Sequence, residues 1–329
     1  MDAGGNKRVQ VHDLKPGVDR FLAEVLAGLQ KSQKELPSKY FYDEKGSELF
    51  ERICGLDEYY VPRTEVAIME AHIDDITELL GPRVLLIEYG SGSSSKTRIL
   101  LDHMREPAAY VPIDISREQL VSAAEELASR YPGLEVLPVC ADYTSDVDLP
   151  PLKLHSARKV VYFPGSTIGN FDLLPAKHFL EHIAGVCGPG GGLLIGVDLK
   201  KDPSVLHSAY NDREGLTAAF NINLLERINS ELNSDFRPER FEHYAFYNAR
   251  ESRIEMHLVS LTDQSVRLDG VSIHFTKGES IWTESSYKFN LEEFQVLAAA
   301  AGFTVERTWT DERQWFSLQY LVTRGGAKP

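Results

Sequence analysis

Apolar residues in the first two thirds of the chain form short runs that alternate with amphipathic segments. The runs at residues 84–87, 109–113, 134–140, 159–163 and 193–197 have the length and continuity of buried parallel strands. Between them, apolar residues recur at helical spacing, most clearly over residues 64–80 and 173–186. Ser116 and Gln119 have the spacing of a capping box, which predicts a helix from there to about Arg130. Strands that alternate with helices predict a doubly wound α/β sheet.

The pattern changes after the fifth run. Residues 205–210 and 216–232 are predicted to be helical, and residues 241–288 then alternate with a period of two, which predicts an antiparallel meander. A helix over 291–301 and strands over 304–308 and 316–322 complete the main sheet with an antiparallel pair. The meander is therefore an α+β insertion after the fifth strand. Near the amino end, residues 18–29 are predicted to be helical and the polar residues 1–16 to be loose.

The first strand leads into a glycine turn, L-L-I-E-Y-G-S-G-S-S-S-K-T-R over residues 85–98. Gly90 and Gly92 permit positive φ and close approach of a ligand to the backbone, and the helix behind them begins with unpaired N–H groups. Alone, this motif is as common in ordinary βα turns as in binding sites. Asp114 ends the second strand, 22 residues after Gly92, where an acidic side chain can accept hydrogen bonds from a ribose.

Successive strand ends carry Glu88, Asp114 and Asp142, and Tyr143 follows with a ring suited to an adenine face. A dinucleotide site requires a third glycine, but Ser95 stands in that position, and Glu88 would repel a pyrophosphate. S-adenosylmethionine (SAM) has no phosphate and carries an ammonium group. The pattern therefore favours SAM, with an NAD-linked oxidoreductase and a non-catalytic SAM-binding protein as the alternatives.

Bulk composition excludes several classes of function. The 329 residues carry a net charge of −14, which disfavours nucleic acid as a partner. No apolar run is long enough for a membrane span, and the first residues lack the apolar core of a signal peptide. The three cysteines are scattered and the histidines lack metal-ligand spacing. We expect a cytoplasmic protein with no membrane partner and no metal.

Aromatic residues cluster before the cofactor strand. Tyr40, Phe41 and Tyr42 precede a helix near Ser47, and Tyr59 and Tyr60 follow it. The cluster predicts a lid over the mouth of the cofactor site, although core packing would produce the same composition.

Several segments together resemble one family. They are the glycine turn, the loop F-P-G-S-T-I-G-N-F over residues 163–171, the segment A-Y-N-D-R-E-G-L-T-A-A-F-N over 209–221, R-I-E-M-H-L over 253–258 and T-E-S-S-Y-K-F over 283–289. The chain is similar in these motifs, from about Lys39 onwards, to the histidine-specific N-α-methyltransferases of ergothioneine biosynthesis, called EgtD.

The resemblance implies a class I SAM-dependent methyltransferase with a Rossmann-like sheet. It also implies a substrate-binding domain of residues 1–63 and 200–288, beside a SAM-binding domain of residues 64–199 and 289–329. The expected activity is trimethylation of the α-amino group of L-histidine to hercynine by a monomer. A paralogue that methylates tryptophan or tyrosine is the nearest alternative, and it should differ at Glu284 or Met256.

The resemblance also implies site residues. Those for the cofactor are Tyr42, Gly90, Lys96, Asp114, Asp142 and Tyr143. Tyr59 and the carbonyl of Gly165 are expected near the reacting amine, and Asn170 and Tyr210 at the substrate carboxylate. Glu284 and Ser286 are expected to bind the imidazole, with Met256 lining the same pocket. Strand alternation alone places Glu284 and Ser286 on one face, where a carboxylate and a hydroxyl can bind a small heteroaromatic ring.

Overall fold

The computed structural model describes residues 9–14, 17–92, 94–144, 147, 149–152 and 155–324. Within them the strands are β1 His12–Leu14, β2 Lys34–Glu35, β3 Val84–Tyr89, β4 Ala109–Asp114, β5 Glu135–Val136, β6 Val139–Ala141, β7 Arg158–Phe163, β8 Gly192–Asp198, β9 Phe241–Asn248, β10 Arg253–Ser260, β11 Gln264–Leu268, β12 Val271–Phe275, β13 Ser280–Tyr287, β14 Phe303–Thr310 and β15 Phe316–Thr323. The helices are α1 Val18–Leu29, α2 Glu44–Cys54, α3 Val61–Leu80, α4 Ser95–His103, α5 Arg117–Arg130, α6 Leu173–Cys187, α7 Pro203–Tyr210, α8 Leu216–Leu232 and α9 Leu291–Ala300. None of the helices in this part of the chain has the length and apolar character needed to cross a membrane.

The main sheet has the strand order β1–β6–β4–β3–β7–β8–β15–β14, and β5 also pairs with β4. Its pairs are parallel except those of β15, which runs antiparallel to both β8 and β14. In the central strand β3, Ile87 pairs with Val111 on one side and with Val161 on the other. The predicted doubly wound sheet with an antiparallel finish is confirmed. The chain reverses its direction of winding between β3 and β7, which opens a crevice at their carboxyl ends.

Helices cover both faces of the main sheet. Leu86 of β3 lies in one core together with Leu100 of α4, whereas its neighbour Ile87 lies in a second core with Leu180 of α6 and Phe294 of α9. Successive strand residues face opposite sides, so a fully apolar strand supplies both cores at once. This explains why the central strands have continuous apolar runs.

The inserted segment supplies three of the four strands of a second sheet, which has the order β2–β13–β10–β9. β13 runs antiparallel to β10 and parallel to the short β2. Strands β11 and β12 pair only with each other among the described residues. The prediction of one continuous meander is therefore wrong, because this hairpin stands apart and a segment near the amino end supplies an edge strand. Helix α8 joins the sheet through Asn221, whose side chain hydrogen-bonds Thr283 of β13 at 2.8 Å.

Two local predictions fail at the edge of the main sheet. Residues 12–14, expected to be loose, form β1 beside β6, while residues 1–8 and 15–16 lie outside the described part of the chain. The predicted strand over 134–140 is split into β5 and β6 around Pro138. Pro138 and the nearby Pro112 of β4 both lack the N–H that a continuous ladder requires.

The capping box predicted at Ser116 is also absent. The Ser116 side chain makes no capping hydrogen bond to α5. Its backbone N–H instead donates to Asp114 Oδ1 at 2.8 Å. The Asp114 carboxylate therefore organises this loop in place of the serine hydroxyl.

Candidate active site

A cavity of about 1150 Å³ lies at the carboxyl ends of the central strands, between the main sheet and the second sheet. Every site residue predicted from the sequence lines this cavity: Tyr42, Tyr59, Gly90, Lys96, Asp114, Asp142, Tyr143, Gly165, Asn170, Tyr210, Met256, Glu284 and Ser286. The fold thus brings together residues from distant parts of the chain. Its position matches the crevice where open α/β sheets bind ligands.

The glycine turn adopts the conformation that its sequence predicts. Gly90 has φ of 72° and Gly92 has φ of 48°, values that favour glycine. The Gly92 N–H donates to Asp114 Oδ2 at 2.9 Å, and the Asp114 Oδ1 atom accepts the Ser116 bond. Burial raises the pKa of Asp114, although these N–H donors oppose the shift. A carboxylate has about four acceptor sites, so Asp114 can stabilise the turn and still accept hydrogen bonds from a ligand.

Glu88 lies beneath this turn and is buried. Its Oε2 atom accepts hydrogen bonds from Thr97 Oγ1, at 2.5 Å, and from the Tyr110 hydroxyl. Burial raises the pKa of Glu88 to about 7, against the effect of those two donors. At neutral pH the carboxyl group is only partly charged, so Glu88 would repel a pyrophosphate less strongly than its sequence position suggests.

The third strand end combines an acidic and an aromatic side chain. Asp142 accepts a hydrogen bond from Lys39 Nζ at 2.9 Å and one from the Thr144 N–H at 3.0 Å. Burial alone would raise the pKa of Asp142, but the hydrogen bonds outweigh it and the pKa lies below its usual value. The ring of Tyr143 packs 5.9 Å, centroid to centroid, from each of Phe163 and Phe179. These residues form a rigid aromatic wall beside a charged carboxylate.

Lys96 has a partner that was not predicted from the sequence. Its Nζ atom lies 2.5 Å from Oε2 of Glu65, a fully buried residue of α3. Glu65 also accepts the Gly165 N–H at 2.9 Å and the Tyr162 hydroxyl at 3.2 Å. One carboxylate therefore connects the cofactor side of the cavity with the loop expected at the reacting amine. No local motif indicates Glu65, because its partners lie on α4, β7 and the loop after β7.

An aromatic wall forms the opposite side of the cavity. Tyr42 packs edge-on against Phe50 and Phe220, and Tyr59 packs edge-on against Tyr210 at 6.2 Å between centroids. Burial raises the pKa of both Tyr42 and Tyr59 well above the usual value, so both are neutral phenols. The predicted lid is only partly correct. Its other members, Tyr40, Phe41 and Tyr60, are buried in the core.

A β-bulge determines how β13 faces the cavity. Ile254 pairs with Ser286 and Met256 with Glu284, but His257 then pairs with Trp282, so Thr283 is an extra residue. Thr283 Oγ1 donates to the Met256 carbonyl at 3.1 Å, which stabilises the irregular strand. Bulges commonly redirect a side chain beside an active site. Here Glu284 and Ser286 both line the cavity, together with Met256 of the neighbouring strand β10.

Glu284 is partly exposed to the cavity, and its only side-chain hydrogen bond to a described residue comes from Asn170 Nδ2 at a long 3.4 Å. Burial raises the pKa of Glu284 to about 7, while Lys288 acts in the opposite direction. The carboxyl group consequently has acceptor capacity that the protein itself leaves free. Such a group in a cleft is a candidate for ligand binding.

A buried polar network lies behind Ser286. Ser286 Oγ accepts hydrogen bonds from the Tyr210 hydroxyl and from Lys288 Nζ, both at 2.8 Å. Lys288 Nζ also lies 2.7 Å from Asp198 Oδ2, and Lys201 Nζ lies 2.5 Å from Asp198 Oδ1. Lys288, Asp198 and Lys201 were not among the site residues predicted from the sequence. Two features of the sequence could have indicated the first two. Lys288 continues the every-second-residue pattern of Glu284 and Ser286, and Asp198 is an acidic residue at the end of β8, as Asp114 is at the end of β4.

The cavity therefore offers two chemically different regions. One region has acidic strand ends, the glycine turn and the ring of Tyr143. The other has the carboxyl group of Glu284, the hydroxyl of Ser286 and the amide of Asn170 on a mainly apolar surface. No group of histidine, cysteine, aspartate or glutamate side chains suited to hold a metal ion occurs among the described residues. The arrangement suits an organic cosubstrate beside a small polar substrate.

The chain is similar to known proteins over most of its length. A family described as "Histidine-specific methyltransferase, SAM-dependent" matches residues 21–323. The chain is 41% identical to the histidine N-alpha-methyltransferase of Mycolicibacterium smegmatis over 304 residues, which cover 91% of this chain and 94% of that protein. It is also 41% identical to the histidine N-alpha-methyltransferase of Mycobacterium tuberculosis, over 90% of this chain and 92% of that one. Identity is 26% to a 4-dimethylallyltryptophan N-methyltransferase of Claviceps purpurea, over 89% and 92% of the two chains.

Proposed function

Because the chain belongs to the SAM-dependent, histidine-specific methyltransferase family, we propose that it trimethylates the α-amino group of L-histidine. The product is hercynine, and the reaction is the first step of ergothioneine biosynthesis. Membership of the family opposes the NAD-linked and non-catalytic interpretations. A tryptophan or tyrosine methyltransferase is not favoured either, since both Glu284 and Met256 are present.

The assignment of the substrate rests on the position of the Glu284 carboxyl group, next to the β-bulge of β13. It lines the cavity beside Ser286 and has acceptor capacity that its weak contact with Asn170 leaves free. Imidazole has both an N–H donor and an acceptor nitrogen. A carboxylate can accept the hydrogen bond from the N–H, and a hydroxyl can donate one to the other nitrogen. An apolar ring would leave the buried carboxylate without a partner, which is costly.

We assign the cofactor region to SAM, whose chemistry fits the side chains present. Asp114 is the expected acceptor for the ribose hydroxyls, and Asp142 and Tyr143 are expected at the adenine. Gly90 allows close approach of the backbone, and Tyr42 covers the opposite side. Lys96 is assigned to the carboxylate of SAM. That carboxylate would compete with Glu65 for the ammonium group of Lys96. When bound, SAM would supply a methyl group on a sulfonium, and the thioether left after the transfer is neutral and needs no acid catalysis.

The amino-acid end of histidine is assigned to the aromatic side of the cavity. Asn170 and Tyr210 are proposed to bind the α-carboxylate. The Tyr210 hydroxyl would then exchange the hydrogen bond that it donates to Ser286 for one to the carboxylate, while Lys288 keeps its own hydrogen bond to Ser286. Lys288 Nζ also lies 3.3 Å from the Tyr210 hydroxyl and adds positive charge nearby. Tyr59 and the Gly165 carbonyl are proposed to orient the amine. We also propose a substrate-binding domain of residues 1–63 and 200–288 beside a SAM-binding domain of residues 64–199 and 289–329. Asn170 and Gly165 of the second domain then contribute to the substrate region, and Tyr42 of the first contributes to the cofactor region.

Catalysis in this site is mainly positioning. The amine must be neutral to attack, and a neutral Tyr59 phenol can accept or donate a hydrogen bond without charge repulsion. The aromatic residues around Tyr42 and Tyr59 tolerate the cation that grows with each methylation. A strongly basic group at the amine is not required, because solvent can remove the proton before each transfer.

The proposal is tested by incubating the purified chain with SAM and each of the twenty amino acids, followed by mass detection of methylated products. Histidine should be converted to its trimethyl form, while tryptophan and tyrosine react at least ten times more slowly. Preferential methylation of any other amino acid would disprove the assignment of the substrate. Failure of all twenty to react would disprove the activity.

A further inference from the structure

The hydroxyl of Ser286 is surrounded by hydrogen-bond donors. Lys288 Nζ and the Tyr210 hydroxyl each donate to its oxygen at 2.8 Å. A serine hydroxyl accepts two hydrogen bonds and donates one, so both of its acceptor positions are filled. No hydrogen bond donated by Ser286 Oγ is found among the described residues, although the side chain lines the cavity. Its proton is thus the part of the group that remains free for a ligand.

Lys288 cannot easily turn away from this position. Its side chain is 0% exposed, and so is that of Asp198, whose Oδ2 atom lies 2.7 Å from Lys288 Nζ. Burial alone would lower the pKa of Lys288, but the charge of Asp198 outweighs it and raises the pKa above its usual value. Asp198 also accepts the Tyr60 hydroxyl at 2.8 Å and pairs with Lys201. The ammonium group is therefore charged and fixed in place next to Ser286.

We propose that Lys288 determines the polarity of the substrate pocket by fixing Ser286 as a hydrogen-bond donor. This inference rests on the proposed function. The pocket then selects a ring that accepts a hydrogen bond from Ser286 and donates one to Glu284, which describes one tautomer of neutral imidazole. Indole has an N–H but no acceptor nitrogen, so it would leave the Ser286 proton unpaired. Sites built to bind a polar group reject analogues that lack it far more strongly than apolar pockets do.

Suitable probes are the two pyrrolylalanines, in which a C–H group replaces one or the other ring nitrogen of histidine. Each keeps the size of the ring and one N–H but has no acceptor nitrogen. The wild-type protein should prefer histidine over the better pyrrolylalanine by about tenfold or more in kcat/KM. In Lys288→Met, Ser286 regains a free acceptor position and can rotate its proton away, so this preference should fall at least threefold.

Lys201→Met is a matched control. Both lysines are buried and both pair with Asp198, but Lys201 makes no hydrogen bond to Ser286. Either substitution removes one of the two lysine charges beside Asp198. The other lysine still forms an ion pair with Asp198, so both variants should fold. Lys201→Met should retain the wild-type preference for histidine. Melting temperatures and calorimetric affinity for SAM verify that each variant is intact.

Ser286→Ala gives a second, independent measurement. It removes the donor itself, so the preference for histidine over the pyrrolylalanines should fall even if Lys288→Met does not fold. An unchanged preference in Lys288→Met or in Ser286→Ala, or an equal loss in Lys201→Met, would overturn the inference. If the wild-type protein does not methylate histidine at all, the proposed function fails first. Turnover of histidine with unchanged preferences refutes only the role of Lys288.

Discussion

Replacement of Glu284 tests how the pocket selects its substrate. Glu284→Ala removes the carboxyl group that we assign to the imidazole N–H. A hydrogen bond to a charged group contributes about 1.5–3 kcal/mol, so kcat/KM for histidine should fall on the order of ten- to a hundredfold. Among the described residues, the Glu284 side chain loses only a long hydrogen bond from Asn170, so the fold itself should tolerate the change.

A graded series strengthens this test. Glu284→Gln keeps the size of the side chain and a neutral acceptor, so the loss should be about fivefold, in line with the ~1 kcal/mol between charged and neutral hydrogen bonds. Met256→Val, combined with Glu284→Ala, shortens the residue that pairs with Glu284 across the strands. The double variant should accept tryptophan better than either single variant, because it has both more space and no unpaired carboxylate.

The assay is kcat/KM for histidine and for tryptophan, measured for each variant by mass detection of the methylated product. Glu255→Gln is the matched control. Glu255 lies on β10 opposite Ser285 and hydrogen-bonds Arg253 at 2.8 Å, away from the cavity lining. Its ratio of histidine to tryptophan should equal that of the wild type. If the ratio does not fall in either Glu284→Ala or the double variant, Glu284 does not determine selectivity.

Three further predictions follow from the site. Asp114→Ala should weaken binding of SAM about tenfold or more, because a charged acceptor is lost, and an unchanged calorimetric affinity would exclude the assignment. Histamine lacks the carboxylate that Asn170 and Tyr210 are proposed to bind, so it should be methylated at least tenfold more slowly than histidine; equal rates would require another role for this pair. Burial raises the pKa of Glu284 to about 7, so the folded protein binds the carboxyl proton more tightly than the unfolded chain does. The resulting free energy of stabilisation is fully present below the ordinary carboxyl pKa and is lost as the pH rises through about 7. Glu284→Gln should therefore gain melting temperature relative to wild type at pH 8 but not at pH 4, and an equal difference at both would contradict the shift.

Much of the fold follows from local pattern. The central strands, the glycine turn and the strand-end carboxylates were predictable, because buried parallel strands and positive-φ glycines have strong local signatures. The edges were harder. β1 and β2 are short and polar, and only their partners β6 and β13 make them strands. A period of two identifies strands but does not identify their partners, so the separate β11–β12 hairpin was not foreseen.

The candidate site shows the same division. Residues inside recognisable motifs, such as Asp114 and Glu284, were predicted and line the cavity. The groups that hold them were missed. Glu65 contacts residues 31 to 100 positions away. Asp198 pairs with its neighbour Lys201 but also with Lys288, 90 positions further along the chain, and no sequence motif records these long-range contacts. The predictions of a monomer and of a cytoplasmic location remain predictions.

The most direct test of the central claim uses histidine labelled with ¹⁵N at the α-amino group and SAM labelled with ¹³C in its methyl group. Nuclear magnetic resonance of the product reports which nitrogen carries each transferred methyl. We predict three labelled methyl groups on the α-nitrogen and none on the imidazole ring. Label on a ring nitrogen, or histidine left unlabelled while another amino acid is methylated, would contradict the proposed function.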